Sequence, residues 1–338
     1  MTATIHDVAR RAGVSISTVS RVLNGSSPVN DDKRALVLEA VKALDYAPNP
    51  AALSLLGKRT GGIGVLLPFV TGEFFSELLS GLDEAAQDAG RFLVVSTSHC
   101  RTEEFRRAAR ALDKRVDALI VAAPETESIS AASILSTGVP VAFLNTRPDD
   151  ALEADVFNFD NYGGVRDLTG HLQNEGHRRI AYVRGPAEAW DAQERVRGYR
   201  DAMDHADLEA TEIDGGYSRE AGHAAAAHLL AMSPRPTAVI GANDYCALGL
   251  MSALHQANVA VPGEISVCGF DGLPSTGYTV PALTTVHVPI REIGARAVRR
   301  VVSRINERAD PEPYRHEVAP VTVVVRDSTT PADAEALT

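Results

Sequence analysis

The stretch "DVARRAGVSISTVSRVLN", residues 7–24, decides how the first part of this chain folds. Val8, Ala9 and Ala12 recur at the spacing that places side chains on one face of a helix. Gly13 then interrupts the pattern at a point where a tight turn between helices often needs a positive φ. The stretch therefore begins with a predicted short helix that ends in a sharp turn.

A second helix is predicted directly after this turn, with mostly short polar side chains on its outer face. Ser15 is a natural N-cap for it. Its buried side is formed by Val19, Val22 and Leu23, at positions i, i+3 and i+4. The side chains left to face outward are Ile16, Ser17, Thr18, Ser20 and Arg21.

A third helix is predicted to begin after the N-cap Asn30. Its core-facing side chains are predicted to be Leu36, Val37, Ala40, Val41 and Leu44. Two helices joined through a glycine-containing turn, the second with hydroxyls and an arginine outside, indicate a helix-turn-helix. There hydroxyls bind phosphates, and Arg21 can form two hydrogen bonds to a guanine edge. The alternative is a generic three-helix bundle with a solvated basic face, although such faces usually mix lysine and glutamate.

Charge is distributed unevenly along the chain. The 338 residues carry a formal net charge of −11, yet residues 1–60 hold eight basic and five acidic side chains, a balance of +3. The remaining residues carry −14. A basic segment on an acidic body favours nucleic-acid binding by that segment alone.

Composition excludes several classes of protein. A hydrophobic content of 45% with 23% charged residues is typical of globular chains, and the length suits two or three domains. No apolar run approaches a membrane span and no secretory signal opens the sequence, so we expect a cytoplasmic protein. Cys100, Cys246 and Cys268 lie far apart without CxxC spacing, which favours reduced thiols over a disulfide or metal site.

The segment "YAPNPAALSLLG", residues 46–57, predicts a short linker helix. Asn49 is a good N-cap, Pro50 suits the first helical position, and Gly57 ends the run. Residues 51–56 make about two turns, which is too short for an isolated helix in water. Because this helix exposes leucines, we expect it to fold on contact with a partner. Packing against neighbouring helices is the alternative.

Residues 61–326 alternate β-branched apolar runs with longer helical ones, which predicts parallel α/β sheets joined by right-handed crossovers. The length suits two lobes with a cleft between them. Predicted strands are 63–67, 92–96, 118–122, 139–144, 156–160, 179–184, 238–241, 265–270 and 284–288. Predicted helices include 75–89, 165–173, 220–232 and 245–256.

Taken in order, these segments resemble the LacI/GalR family of bacterial transcription repressors. The resemblance rests on DVA..AGVS..TVSRVLN, Y.PN and IGVLLP, and on GHRRIAYV, AVIGANDYCALGL and VPGEISVCGFDG in the body. It implies a helix-turn-helix domain at 1–48, a hinge helix and linker at 49–60, and a two-lobed periplasmic-binding-protein-like α/β effector and dimerisation domain at 61–326. The implied boundaries are about 61–160 and 290–326 for the N-lobe, about 161–289 for the C-lobe, and 327–338 for the tail.

The resemblance also implies roles for residues that meet DNA. The base-reading positions are Ile16, Ser17 and Arg21, and the phosphate-positioning ones are Thr4, Ser15, Thr18, Ser20 and Asn24. Leu55 matches a leucine that the family inserts into the minor groove to bend the duplex. Many members carry arginine where this chain has Leu53, so minor-groove reading by that side chain is not implied here.

Polar residues at the predicted strand ends indicate a ligand site, because open α/β sheets bind ligands beyond the carboxyl ends of their strands. The family's effector positions match Phe74, Phe75, Asn145, Arg195, Tyr217, Asn243 and Asp271, while Trp190 and Asp191 lie in a loop that varies among members. Helix capping by Asn or Asp and core packing of the aromatic rings are the alternatives. We expect Arg195→Ala and Asp271→Ala to abolish the effector response while leaving the effector-free fold intact.

These observations predict a homodimeric repressor that reads inverted half-sites in operator DNA and responds to a small molecule, in most members a sugar. A nucleobase or nucleoside is the alternative effector. A solute-binding protein would need an export signal, and enzyme motifs such as GxSxG, HExxH and the Walker loop are absent from the sequence. We therefore expect no catalytic residue, cofactor or membrane association. The C-terminal segment 326–338 lacks apolar heptads, so no coiled-coil tetramer is predicted.

Overall fold

The computed structural model describes residues 3–24, 29–46, 59–122, 138–147, 154–306 and 312–332. Internal contacts divide the chain into two units, Met1–Gly61 and Gly62–Thr338, which we call the head and the body. Among the described helices, none has the length and apolar content needed to span a membrane.

The described part of the head is helical. It contains α1 (Ile5–Ala12), α2 (Ile16–Asn24) and α3 (Asp31–Ala43). The predicted turn after α1 is confirmed, because Gly13 has a φ of 64°. The predicted N-caps are also confirmed: the Ser15 hydroxyl accepts from the Thr18 amide at 3.2 Å, and Asn30 accepts from the Asp32 amide at 2.9 Å.

A small apolar core joins the three helices of the head. Its buried members are Val8, Ala9, Ala12, Val19, Val37 and Ala40. The predicted burial of Leu36 is wrong, since this side chain is 49% exposed. Successive residues of a helix are rotated by about 100°, so a core stripe through Val37 and Ala40 leaves Leu36 on the flank.

The body is built from β-strands and α-helices that alternate along much of the chain. Its strands are β1 (Gly62–Leu67), β2 (Phe92–Thr97), β3 (Ala118–Ala122), β4 (Val141–Leu144), β5 (Asp155–Phe159), β6 (Ile180–Val183), β7 (Thr211–Ile213), β8 (Ala238–Ile240), β9 (Ser266–Asp271), β10 (Thr284–His287), β11 (His316–Ala319) and β12 (Thr322–Val324). Its helices are α4 (Glu73–Asp88), α5 (Thr102–Leu112), α6 (Asn161–Asn174), α7 (Trp190–His205), α8 (Arg219–Ala231), α9 (Asp244–Gln256) and α10 (Ile290–Asn306), with a 3₁₀ helix at Pro274–Tyr278.

The strands form two six-stranded sheets, one in each lobe. The first lobe has the order β11-β5-β4-β3-β1-β2, with parallel pairing throughout, and α10 packs on its strands and on α4. The second lobe has the order β12-β10-β9-β8-β6-β7, in which only the β10–β12 pair is antiparallel. Strands β1, β3, β4 and β5 are buried along their whole length, as expected of parallel strands covered on both faces. The predicted two-lobed α/β fold is confirmed.

The end of the chain differs from the expected boundaries. We expected residues up to 326 in the first lobe and a tail beyond them, but β12 pairs with β10 in the second lobe. Ser328 is buried there, where its hydroxyl donates to the Val267 carbonyl at 2.6 Å. The physical reason is that β10 would otherwise present an unpaired edge, which the returning chain covers.

Candidate nucleic-acid interface and effector cleft

The outer face of α2 carries the residues predicted to read DNA bases. Ile16 is 41% exposed, and Ser17 and Arg21 are exposed beside it. Within the described residues Arg21 has no ion-pair partner, in contrast to Arg10, which lies 3.6 Å from the Asp7 carboxylate. The Arg21 guanidinium is therefore free to form hydrogen bonds with an external acceptor.

Hydroxyl groups cluster at the N-terminus of α2. The Ser15 hydroxyl lies 2.8 Å from that of Ser17 and 2.9 Å from that of Thr18. Small hydroxyls donate or accept by rotating, so this cluster can exchange its internal hydrogen bonds for bonds to phosphate oxygens. Ser20 is half-buried on the same helix.

Of the remaining residues predicted to contact DNA, the structure describes the side chain of Thr4 only. The Thr4 hydroxyl and amide both donate to the Asp7 carboxylate, at 2.7 and 2.9 Å, in a capping box at the start of α1. These hydrogen bonds lower the pKa of Asp7. The side chain of Asn24 and the whole predicted linker helix, with Leu53 and Leu55, lie outside the described residues.

In the body, two predicted effector residues lie at strand ends with unusual backbone geometry. Asn145 directly follows β4 and has a φ of 49°, and Asp271 ends β9 with a φ of 123°. A positive φ is uncommon for residues other than glycine, and such strained positions tend to cluster at ligand sites. Both side chains contact residues of α7 at the predicted effector cleft: Asn145 bonds to Asp191 from the first lobe, and Asp271 lies beside Arg195 within the second.

Arg195, on α7, is the central side chain of this cleft. It is only 2% exposed, and its Nε donates to Asn161 Oδ1 at 2.9 Å while Nη1 donates to the Ala242 carbonyl at 2.8 Å. The guanidinium carbon lies 3.9 Å from the centre of the Phe270 ring and 5.6 Å from that of Tyr217. These contacts hold the guanidinium in one orientation.

Two buried carboxylates flank Arg195. Its Nη2 lies 3.6 Å from Asp191 Oδ2 and 3.7 Å from Asp271 Oδ1. Burial lowers the pKa of Arg195, but Tyr217 and the two carboxylates outweigh it and raise the pKa overall. Removal of this arginine would leave two buried carboxylates without a cation, which corrects the expectation that Arg195→Ala leaves the fold intact.

The Asp271 carboxylate is unusual because it is 4% exposed and accepts no hydrogen bond among the described residues; its partner is Arg195, at 3.7 Å. Burial raises its pKa well above the ordinary value, although Arg195 acts in the opposite direction. Neighbouring Asp244, by contrast, accepts from the Leu273 amide at 2.7 Å and from the Thr285 hydroxyl at 2.5 Å. Asp271 thus has unused acceptor capacity beside the Arg195 guanidinium.

Asn145 connects the two lobes. Its amide nitrogen donates to Asp191 Oδ2 at 3.0 Å in the second lobe, and its oxygen accepts from Asn161 at 3.1 Å. Asn161 begins α6 and also binds Arg195, so it belongs to the site although sequence reasoning missed it. The signal was present, because Asn161 follows the end of β5 much as Asn145 follows β4.

Aromatic side chains occupy four of the predicted effector positions. Phe74 and Phe75 are half-buried at the start of α4, with ring centres 5.3 Å apart in an edge-to-face pair. The Tyr217 hydroxyl is buried without a hydrogen-bond partner among the described residues, and burial, followed by the charge of Asp191, raises its pKa well above the usual value. Trp190 is half-buried at the first position of α7.

Asn243 has a different environment from the other predicted effector residues. Its side-chain oxygen accepts from the Cys246 amide at 2.9 Å and its nitrogen donates to the Tyr217 carbonyl at 3.2 Å. The side chain therefore caps α9, which is the alternative that the sequence left open. Its hydrogen bonds hold Tyr217 against the cleft.

Comparison with known proteins identifies the family. Residues 4–49 match the model for bacterial regulatory proteins of the lacI family, and residues 169–329 match a periplasmic binding protein-like domain. The chain is 36% identical to the HTH-type transcriptional repressor PurR of Vibrio campbellii over 327 residues, which cover 95% of this chain and 97% of that protein. The chain belongs to the LacI family.

Further relatives support the assignment of this regulator to the LacI family. It is 36% identical to the ribose operon repressor of Escherichia coli K12 over 310 residues, which cover 90% of this chain and 94% of that one. Its structure matches the Lac repressor dimer bound to operator and the anti-inducer ONPF with a TM-score of 0.85 and 30% identity, over 98% and 100% of the two chains. It also matches a complex of the regulator CelR with cellobiose, with a TM-score of 0.72 and 28% identity over 96% and 99%.

Membership of the family confirms several predictions. The protein is a ligand-responsive, DNA-binding transcription regulator of the LacI type, and the relatives it matches are repressors rather than enzymes. The head is a helix-turn-helix rather than a generic helical bundle, and the body is the effector domain rather than an exported binding protein. A bacterial regulator of transcription acts in the cytoplasm, as expected.

Proposed function

We propose that this LacI-family repressor binds a pseudo-palindromic operator as a homodimer, under the control of a neutral polyhydroxylated molecule in the interlobe cleft. A sugar or sugar derivative is the class that fits best. The observation that carries this proposal is the buried Asp271 carboxylate, which accepts no hydrogen bond among the described residues and lies beside Arg195.

The chemistry of the cleft favours a ligand with hydroxyl groups and no charge. Carboxyl oxygens accept hydrogen bonds and a guanidinium only donates them, so hydroxyls, which do both, can bind Asp271 and Arg195 together. An anionic ligand would meet two carboxylates, Asp191 and Asp271, around one guanidinium in a buried site. The names of two relatives, the ribose operon repressor and a regulator bound to cellobiose, support the same class.

A nucleobase or nucleoside is the second candidate. Phe74 and Trp190 are half-buried, and aromatic rings of this kind can stack on a planar base. The Asn145 amide would then bind a base edge. This candidate is less well supported, since a flat base leaves the acceptors of Asp271 with fewer donors.

A ligand screen on the full-length protein tests the effector class. We expect pentoses, hexoses or disaccharides to raise the unfolding temperature by several degrees at saturating concentration, because ligands that bind only the folded state stabilise it. Nucleobases and nucleosides serve as the comparison set. Stabilisation by that set alone would contradict the sugar assignment.

On the DNA side, we propose that Ile16, Ser17 and Arg21 read bases in the major groove. We assign phosphate contacts to Ser15, Thr18, Ser20 and Asn24, with Thr4 acting mainly through the capping box that fixes α1. Leu55 remains a proposed minor-groove wedge. The exposure of the α2 outer face, where Arg21 is unpaired among the described residues, supports this assignment.

Two adjacent apolar side chains support the proposed dimer. Tyr278 is 89% exposed and Val280 is 97% exposed, at and just after the 3₁₀ helix of the second lobe. Large apolar side chains this exposed and this close together commonly mark an interface between proteins. Binding to inverted half-sites requires a two-fold symmetric dimer, in which the same patch meets its own copy.

Replacement of Tyr278 by aspartate is expected to weaken dimerisation about 30-fold or more, as loss of an aromatic interface anchor does. The measurement is sedimentation equilibrium across a range of protein concentrations. The matched control is Tyr314→Asp, which alters an exposed tyrosine of the first lobe and should leave the dimer unchanged. Equal dimerisation constants for the two variants would remove Tyr278 from the interface.

A further inference from the structure

The start of α4 is fastened to the second lobe by three hydrogen bonds that involve Glu73. The Glu73 carboxylate accepts from the Ser275 amide at 3.1 Å and also from the Ser275 hydroxyl. The Glu73 backbone amide donates to the Tyr245 hydroxyl at 2.6 Å. Glu73 belongs to the first lobe, whereas Ser275 and Tyr245 belong to the second, so these bonds exist only while the lobes are close together.

Two neighbouring residues, Gly72 and Arg219, allow Tyr245 to approach the start of α4 closely. Gly72 has a φ of 98°, and a Cβ atom placed there would lie 3.2 Å from the Tyr245 ring. A residue with a side chain would therefore be both strained and crowded at position 72. The Arg219 guanidinium carbon lies 4.0 Å from the centre of the Tyr245 ring and holds it in place.

The three residues joined by these bonds adjoin the proposed effector site without being part of it. Glu73 directly precedes Phe74 and Phe75, the two aromatic residues proposed for the effector site in the first lobe. On the opposite side, Tyr245 lies two residues after Asn243 and Ser275 lies four residues after Asp271. The same short segments thus carry both the cleft residues and the bonds that close the lobes over them.

We infer that Glu73, Tyr245 and Ser275 form an interlobe clamp that positions the Phe74–Phe75 turn over the cleft and sets how often the lobes close without effector. A bond made only in the closed form shifts the equilibrium toward that form. The apparent effector affinity is the intrinsic affinity multiplied by the fraction of closed molecules, so loss of the clamp weakens binding without removing a ligand contact. The effector part of this inference rests on the function proposed above, whereas the clamp itself does not.

The clamp is tested by Glu73→Gln, Ser275→Ala and the double variant in the full-length, ligand-free protein. The matched control is Glu77→Gln. Glu77 lies one turn further along α4, and its carboxylate pairs with Arg291 at 2.5 Å inside the first lobe. Both glutamine substitutions remove a negative charge from the same helix, but only the one at Glu73 weakens bonds between the lobes, because an amide leaves one uncharged acceptor where the carboxylate has two charged ones.

We expect amide exchange of residues 73–76 and 273–276 to be about 3–10-fold faster in Glu73→Gln and Ser275→Ala, as loss of one charge-assisted hydrogen bond implies. The double variant should exchange more slowly than additive effects of the two single variants would give, because both weaken the same contact; Ser275→Ala removes the hydroxyl bond but keeps the backbone amide bond to Glu73. Glu77→Gln should exchange at the wild-type rate in these segments. Wild-type exchange rates in Glu73→Gln, or simple additivity in the double variant, would overturn the clamp.

A second arm uses the sugar that stabilises the wild-type protein most in the thermal screen. Calorimetry is expected to give a Kd about 3–10-fold weaker for Glu73→Gln than for Glu77→Gln, with equal free energies of unfolding in urea. Equal Kd values alongside faster exchange would overturn the link between clamp and effector affinity. If no sugar binds the wild-type protein, the proposed function fails, and the exchange experiment still decides whether the clamp exists.

Discussion

Replacement of Arg195 by alanine is expected to weaken effector binding at least about 30-fold, since truncating one partner of a buried charge pair costs about 2–5 kcal/mol. The same change should lower the free energy of unfolding by about 3–5 kcal/mol. Arg195 is the cation between buried Asp191 and Asp271, and it also donates to Asn161 and to the Ala242 carbonyl. Without it, the two buried carboxylates lose their cation, and Asn161 and the Ala242 carbonyl each lose a hydrogen bond.

Urea unfolding and effector calorimetry on the full-length protein measure these two losses. Arg197→Ala is the matched control, because Arg197 lies on the same helix but is exposed and pairs only with Glu194 among the described carboxylates. Arg197→Ala should lower the free energy of unfolding by at most about 1 kcal/mol, the usual contribution of an exposed ion pair. Equal stabilities of the two variants would show that Arg195 is not the buried cation of the cleft.

Asp271→Asn separates binding from folding. The substitution keeps the volume of the side chain and removes a carboxylate whose burial already disfavours its charge, so we expect little loss of stability. Effector affinity should still fall, because an amide presents one acceptor oxygen where the carboxylate presents two. Unchanged affinity in Asp271→Asn and in Arg195→Ala together would refute the proposed site.

Replacement of Arg21 by alanine is expected to cost about 1–3 kcal/mol on the cognate operator, equivalent to a loss of about 5- to 150-fold, and very little on random DNA. Arg21 is exposed on the outer face of α2 and has no ion-pair partner in the described residues, so the fold does not depend on it. Removal of the guanidinium costs two hydrogen bonds only on DNA that carries the guanine, so random DNA loses little affinity. Thr18→Ala should weaken all sequences more evenly, because phosphate contacts carry no base information.

The measurement is fluorescence anisotropy at one fixed salt concentration, because phosphate contacts make DNA affinity depend strongly on salt. The operator is first selected from a random-sequence DNA pool with the wild-type protein, and a scrambled duplex serves as the non-specific reference. Arg10→Ala is the control, since Arg10 is an exposed arginine of α1 that pairs with Asp7. Equal losses on operator and scrambled DNA for Arg21→Ala would remove it from the base-reading set.

The head shows how far local sequence determines structure. The turn at Gly13 and the caps Ser15 and Asn30 were predictable, because each depends on backbone geometry within three residues. The long parallel strands of the body were predictable for a related reason. Strands buried on both faces require continuous apolar runs, and those runs stand out in the sequence.

The short strands were not predictable. β7 and β11 contain only three or four residues, are partly exposed and carry no apolar run that distinguishes them from loops. β12 lies in the apolar run at residues 321–325, but that run does not reveal which strand it pairs with. β12 is a strand because the edge of β10 offers unpaired backbone groups, and β10 lies about 40 residues earlier in the chain. Pairing of that kind is decided by tertiary structure.

The effector site also has some features that local sequence determines and others that tertiary structure determines. The sequence by itself determined that polar residues such as Asn145 and Asp271 would follow buried strands, because parallel strands direct their carboxyl ends to one edge. Only the tertiary structure decided that Asp271 accepts no hydrogen bond from the described residues and that Asn161 completes the site. The physical reason is that the deciding hydrogen bonds join residues 46 positions apart, as from Asn145 to Asp191, or 202 apart, as from Glu73 to Ser275. Such partners meet only through the packing of the two lobes, which no local pattern in the sequence records.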